Sequence, residues 1–185
     1  MKKTLITALV TVLLCFGLAG TTYAWLVAKT DPITNTFTAG NISITLAESA
    51  PRNNRMLPGA TFTEDPKVTV KANSEDCWLF IKASKSPNFD TFLDITAAEG
   101  WTALDGEEGV FYREVGRNET EDQVFYILKD NEVRVKTEPT KEQYDAIGEA
   151  NRPTVSFTAY AVQKLGFATA ADAWVEAEKL EQIVH

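Results

Sequence analysis

Residues 77–83 read Cys77-Trp78-Leu79-Phe80-Ile81-Lys82-Ala83, and this stretch decides the fold class. Small or aliphatic residues alternate with tryptophan and phenylalanine until Lys82, so both faces of an extended segment are apolar. A strand with two apolar faces is typical of the middle of a sheet, where both faces are covered. We therefore predict that this stretch forms a central strand whose wide side chains anchor the core.

Period-two alternation continues on both sides of this strand, from residue 33 to about residue 163. Apolar residues alternate with polar or small ones around Ile44 and around Val68, which indicates strands with one face in water. Many short antiparallel strands with few helices predict a mainly β fold, an antiparallel β-sandwich of jelly-roll-like arrangement. Further strands are predicted at residues 110–115, 124–128, 132–136 and 154–163.

Two helices interrupt the strand pattern. Thr140 and Gln143 form a capping-box sequence and Gly148 suits a left-handed end, so a short helix is predicted near residues 140–148. An amphipathic helix is predicted near residues 169–184, with an apolar stripe that docks on a sheet. The stripe consists of Ala170, Ala173, Trp174, Ala177, Leu180 and Val184.

Length and composition limit the classes of function. The 185 residues, 44% hydrophobic and 24% charged, fit one folded domain with an export segment. A formal net charge of -8 argues against binding to nucleic acid or anionic lipid. The single histidine is His185, so a histidine-dependent triad or zinc protease site cannot form within the chain. We predict no catalytic residue, no metal and no cofactor, and therefore no enzyme.

The N-terminus has the organisation of a secretory signal peptide. A basic start precedes an apolar run over residues 5–19, and small residues precede a cleavage point after Ala24. Thr22, Ala24 and Trp25 would form the signal peptidase junction. The predicted location of the mature chain is therefore secreted or at the cell surface.

An uncleaved membrane anchor is the alternative, because no charged residue lies between Lys3 and Lys29. It would give the protein its only contact with a membrane. The chain divides into three predicted parts: a signal peptide at residues 1–24, an N-terminal strand segment at 25–40 and a single β-sandwich domain at 41–185.

The N-terminal segment contains a strong strand pattern of its own. Ile33, Asn35 and Phe37 fall on one face, and three threonines fall on the other. One interpretation is an ordinary first strand of the same domain. The other is a detachable strand that adds to the sheet edge of a neighbouring subunit.

Five stretches from both ends and the middle of the chain carry a likeness to a known family: residues 22–25, 35–46, 57–59, 68–77 and 158–163. They resemble the TasA and camelysin proteins of Gram-positive bacteria, and in particular a clostridial-type branch of that family. Members of the family are released by a SipW-type signal peptidase.

The resemblance implies an exported jelly-roll subunit of a biofilm matrix or of surface fibres, in which the N-terminal strand of one subunit completes the sheet of the next. The implied partners are other copies of this chain, arranged head to tail, and a SipW-type signal peptidase. Residues 25–38 would be the donor strand, with Ile33, Asn35 and Phe37 on the face that enters the acceptor groove.

Camelysin members are described as metalloproteases, so metal-dependent proteolysis is a weaker alternative that the resemblance implies. With His185 as the only histidine, any metal would be held by carboxylates. Oxygen-only sites favour calcium or magnesium over catalytic zinc.

A second kind of function is suggested by aromatic residues in the middle of the chain. Trp101, Phe111 and Tyr112 are candidates for a platform on which sugar rings stack, and the alternative is that they are half-buried strand residues. With the platform, the protein would be a monomeric surface or secreted binding module. Acidic groups near Glu75, Asp105 and Glu119 are candidate calcium ligands or solvated loops, without EF-hand spacing.

Overall fold

In the computed structural model, which describes residues 41–49 and 56–183, the chain is mainly β and forms three antiparallel sheets. The strands are β1 (Ile44–Ala47), β2 (Thr61–Thr63), β3 (Lys67–Val70), β4 (Cys77–Lys85), β5 (Leu93–Asp94), β6 (Thr102–Ala103), β7 (Val110–Val115), β8 (Gln123–Tyr126), β9 (Glu132–Val135) and β10 (Val155–Gln163). The helices are α1 (Phe89–Phe92), α2 (Lys141–Asp145) and α3 (Ala170–Ile183), with short 3-10 turns at Lys129–Asn131 and Glu149–Asn151. The sheet orders are β1-β3-β8, β10-β4-β7-β6 and β2-β9-β5.

Strand β4 is central, as its sequence predicts. It pairs with β10 on one side and with β7 on the other. Leu79 and Ile81 point into the main core, whereas Phe80 points into a second core on the opposite face. All three side chains are fully buried. The predicted antiparallel β-sandwich is therefore confirmed. The two apolar faces of β4 each contribute to a separate hydrophobic core.

The second core lies beneath helix α3. Ala173 and Ala177 are fully buried, and their small side chains let the helix approach the sheet closely. The Trp174 ring lies 5.2 Å from the Phe80 ring and 5.4 Å from the Tyr160 ring, measured between centroids. The predicted docking of the helix by this stripe is confirmed as far as Ala177; Leu180 and Val184 lie beyond the side chains that the structure describes.

Helix α2 begins as predicted and ends earlier. The Thr140 hydroxyl accepts a hydrogen bond from the Gln143 backbone N–H, and the Gln143 side chain accepts one from the Thr140 N–H. The expected left-handed end at Gly148 is wrong, because Gly148 is extended with φ -107. Its N–H donates to the Asn151 side chain, which starts the next turn.

Three short strands and one short helix escaped prediction: β2, β5, β6 and α1. The N-terminal predictions, namely the signal peptide, the junction at Thr22, Ala24 and Trp25, and the donor strand with Ile33, Asn35 and Phe37, lie outside the described residues. Within the described residues, no helix has the length and hydrophobicity needed to cross a bilayer.

Candidate functional site

The candidate site begins at two sheet edges that lie next to each other. Among the described residues, β1 pairs only with β3, and β10 pairs only with β4. The Asn41 carbonyl accepts from the Glu75 N–H at 3.0 Å, and Gln163 is the register partner of Cys77. The beginning of β1 therefore meets the end of β10, and the two edges run side by side in opposite directions.

At the other end of these edges an open groove of about 1550 Å³ reaches the main core. Leu46 of β1 and Phe157 of β10 line opposite sides of it. Its deeper surface includes Leu93, Leu128 and Val133, all core residues. Leu46 is 41% exposed although it is one of the larger aliphatic side chains of the described domain. The groove thus combines an apolar surface with the edges of two strands that, among the described residues, each pair with one neighbouring strand.

Helix α2 forms a further wall of the groove through Tyr144. The Tyr144 hydroxyl donates a hydrogen bond to the Lys136 carbonyl, and its ring lies 5.3 Å from the Phe92 ring. Desolvation by burial, followed by the negative charge of Glu138, raises the pKa of Tyr144. The phenol therefore stays neutral at physiological pH and acts as a fixed, hydrogen-bonded wall.

The charged side chains at the groove carry both signs. Lys141 pairs with Asp145 one helical turn away, so these two charges offset each other. Glu48, Glu64 and Arg152 also line the groove. Because neither sign dominates, the groove does not select a strongly charged ligand.

The three residues predicted to form an aromatic platform, Trp101, Phe111 and Tyr112, do not lie at one site. Trp101 and Phe111 line one small pocket on the main-core side of the sheet. Tyr112 lies on the opposite face, where its ring is 5.9 Å from the Trp78 ring. The Trp101 indole N–H donates to the Tyr126 carbonyl at 2.8 Å. Two of the three predicted residues therefore share a site, and the third packs in the second core.

Arg113 lies beside Trp101, next to this pocket, and was not predicted from the sequence. Its guanidinium carbon lies 4.0 Å from the centroid of the Phe125 ring and 5.3 Å from that of Trp101. Its Nε is buried without a hydrogen-bond partner, and burial lowers the pKa of Arg113. Since Phe111 and Arg113 are two residues apart on one strand, their shared face was readable from the sequence.

Two of the three groups of acidic candidates, those near Glu75 and Glu119, contain ion-paired carboxylates. Arg117 pairs with Glu75 at 2.9 Å and with Glu119 at 3.6 Å. Asp122 pairs with Lys71 at 2.8 Å. Within residues 41–49 and 56–183, no group of three or more His, Cys, Asp or Glu side chains is arranged to hold a metal ion.

Cys77 is fully buried at the start of β4. Desolvation by burial, followed by the negative charge of Asp76, raises the pKa of the Cys77 thiol to about 11. A buried, protonated thiol is a poor nucleophile, so Cys77 has the properties of a packing residue.

Comparison with known proteins identifies no relative: no protein-family model, no curated protein and no solved structure matches this chain. The function is therefore inferred from the geometry of the groove and from the sequence that precedes it.

Proposed function

We propose that this protein is an exported structural subunit that assembles into biofilm-matrix or cell-surface fibres by donating its N-terminal strand to a neighbouring copy. The observation that carries the proposal is the apolar groove at the end of β1 and the beginning of β10. In this proposal a SipW-type signal peptidase removes residues 1–24 and frees the donor segment.

The edges beside the groove offer the backbone groups that a donated strand needs. Strand β10 is nine residues long and, among the described residues, is hydrogen-bonded along one side only. An unpaired edge of that length is a template for strand addition, and natural proteins usually shorten, charge or cover such edges. Strand addition satisfies these backbone groups and fills side-chain pockets at alternate positions.

The donor segment matches the groove in chemistry. Residues 33–38 carry no charge, so their insertion leaves no ionised group buried without a partner. In an extended conformation, period-two alternation would place Ile33 and Phe37 on one face with Asn35 between them, and such a face suits a surface formed by leucine, valine and phenylalanine side chains. The three threonines that alternate with them have the β-branched side chains that favour extended backbone.

The connection between donor and acceptor decides between a monomer and a fibre. Only four residues separate Phe37 from Ile42, and a trans peptide chain extends by about 3.5 Å per residue. With so short a connection, the donor segment of this proposal leaves the domain at once instead of turning back along its own β1. When it leaves, each subunit gives one strand and receives one, so the contact is head to tail and does not need to close.

The test uses the chain from residue 25 to residue 185 with two matched substitutions. We expect Phe37→Asp to place a charge in the groove and to abolish assembly. Thr36→Asp places the same charge on the opposite face of the donor strand and should leave assembly largely intact. Sedimentation velocity over a concentration range measures the oligomers, and negative-stain microscopy shows whether they are fibres.

A chain that stays monomeric at every concentration without either substitution would overturn the proposal. Equal loss of assembly in both variants would show that the donor strand does not enter the groove by its Phe37 face. A monomer would favour a binding module that uses the pocket beside Trp101 and Phe111.

A further inference from the structure

A second, smaller pocket lies inside the sandwich on the main-core side of β4 and β7. Its volume is about 150 Å³. Ile81 and Phe111, which are register partners on these strands, form one wall. Trp101, Phe157 and Leu128 enclose it further. One wall of the pocket is thus formed by two hydrogen-bonded strands, and residues of the connecting segments, among them Ala97 and Trp101, close the rest.

The polar groups at this pocket already have partners. The Trp101 N–H donates to the Tyr126 carbonyl. Lys85 is the one charged residue among the eleven that line the pocket, and its ammonium pairs with Asp90 at 2.7 Å and lies 5.2 Å from the centroid of the Phe89 ring. An apolar cavity of about 150 Å³ is large enough to accept a benzene-sized molecule, and this pocket has that volume.

We propose that this pocket binds a small uncharged aromatic molecule with a single six-membered ring. Three aromatic side chains line it, and aromatic rings attract one another in edge-to-face and offset geometries. A sugar ring of the same size would bring hydroxyl groups, and each hydroxyl buried here without a partner is unfavourable. The pocket therefore selects against the carbohydrate that the sequence suggested for Trp101 and Phe111.

The experiment compares two six-membered rings, benzene and the pyranose sugar xylose, by titration into the full chain. Binding is followed by the rise in melting temperature and by the change in tryptophan fluorescence. We expect benzene to bind saturably with a dissociation constant on the order of 1 mM or lower. We expect no response to xylose at the same concentrations. Saturable binding of xylose without binding of benzene, or binding of neither, would overturn the proposal.

Two substitutions localise the benzene site. Ala97 lines the pocket, so Ala97→Leu should fill it and weaken benzene binding at least tenfold. Ala98, the next residue, does not line the pocket, and Ala98→Leu should leave the affinity within about twofold of the original. Unchanged affinity in a folded Ala97→Leu variant would place benzene elsewhere and overturn the assignment. The benzene and xylose comparison needs no variant and decides the ligand class if Ala97→Leu does not fold.

The pocket and the groove share Leu128 and Phe157 in their linings, whereas Ala97 lines only the pocket. Benzene is therefore titrated into the monomer, in which no donated strand fills the groove. The two proposals have separate readouts, ligand binding and oligomer size, so the failure of one is distinguishable from the failure of the other.

Discussion

Substitution of Gly109 by alanine should destabilise the domain far more than the same substitution of Gly106. Both glycines have positive φ, +74 for Gly109 and +85 for Gly106, in the turn that joins β6 to β7. A Cβ added at Gly106 meets no atom within 4 Å. A Cβ added at Gly109 lies 2.5 Å from the Ala83 carbonyl oxygen of β4. Gly106→Ala therefore measures the cost of backbone strain alone. Gly109→Ala adds a steric clash between the new Cβ and the Ala83 carbonyl oxygen.

The size of the difference follows from these contacts. An alanine in the left-handed region costs about 1–2 kcal/mol at either position. At Gly109 the Ala83 oxygen cannot move freely, because β4 is paired on both sides and the Ala83 N–H donates to the Gly109 carbonyl at 2.8 Å. Loss of that hydrogen bond and overpacking of the turn add about 2–3 kcal/mol. We expect Gly109→Ala to lower the free energy of unfolding by about 3–5 kcal/mol.

Urea unfolding followed by tryptophan fluorescence measures the stability of both variants. If the free energy of unfolding has the same slope against urea concentration in both, their unfolded states are comparable. Losses for Gly109→Ala and Gly106→Ala that agree within about 0.5 kcal/mol would refute the reasoning. They would show that β4 and β7 do not approach each other closely at this turn.

Three further predictions concern charged and buried groups. Arg113→Met keeps apolar packing between Trp101 and Phe125 and removes a partly buried charge that has no ion-pair partner among the described residues. The free energy of unfolding, measured in urea, should therefore change by no more than about 1 kcal/mol. A loss above about 2 kcal/mol would contradict this. The hydrogen bond from Lys71, then that from the Ala72 N–H, holds the pKa of Asp122 below its usual range. The ionised Asp122 carboxylate therefore stabilises the fold above its unfolded pKa of about 4, and this contribution declines as the pH falls through the lower folded pKa. The urea midpoint of unfolding should consequently fall less steeply at acid pH in Asp122→Asn than in the unsubstituted chain. The raised pKa of Cys77 means that the unfolded chain loses its thiol proton first, so stability should decline from about pH 9 towards pH 11. Cys77→Ala should lack this alkaline decline, and rapid labelling of the native thiol by an aromatic disulfide at pH 8 would contradict its burial.

The long, strongly patterned elements of the fold were predictable from the sequence. Residues 77–81 alternate two kinds of apolar residue, a pattern typical of a strand covered on both faces, and they form the first part of Cys77–Lys85. Helix α3 was predictable because its alanines and Trp174 recur at helical spacing. Strands of two residues, such as Thr102–Ala103, are too short to show a period, so they escaped prediction.

The candidate sites were less predictable, because they depend on which strands become neighbours. Phe111 and Tyr112 are adjacent in sequence and therefore point to opposite faces of β7, which period-two alternation already implies. The groove between Leu46 and Phe157 joins residues more than one hundred positions apart. A local sequence pattern does not predict that these two residues are close, because their proximity depends on the order of strands in two different sheets.

In the proposed assembly, one copy of this chain inserts its N-terminal strand beside β1 and β10 of another copy. Leu46 and Val124 provide a matched pair for testing it, because both are large aliphatic residues on outer strands of the same sheet and are 41% and 48% exposed. Leu46 lines the groove, and Val124 does not. At these exposed positions a glutamate should change stability by no more than about 0.5 kcal/mol, so assembly can be compared between folded variants.

The most direct measurement is sedimentation velocity of Leu46→Glu and Val124→Glu, made on the chain from residue 25 to residue 185 over a range of concentrations. We expect Val124→Glu and the unsubstituted chain to form oligomers that grow with concentration, and we expect Leu46→Glu to stay monomeric. Growing oligomers of Leu46→Glu, equal in size to those of Val124→Glu, would contradict the proposed assembly.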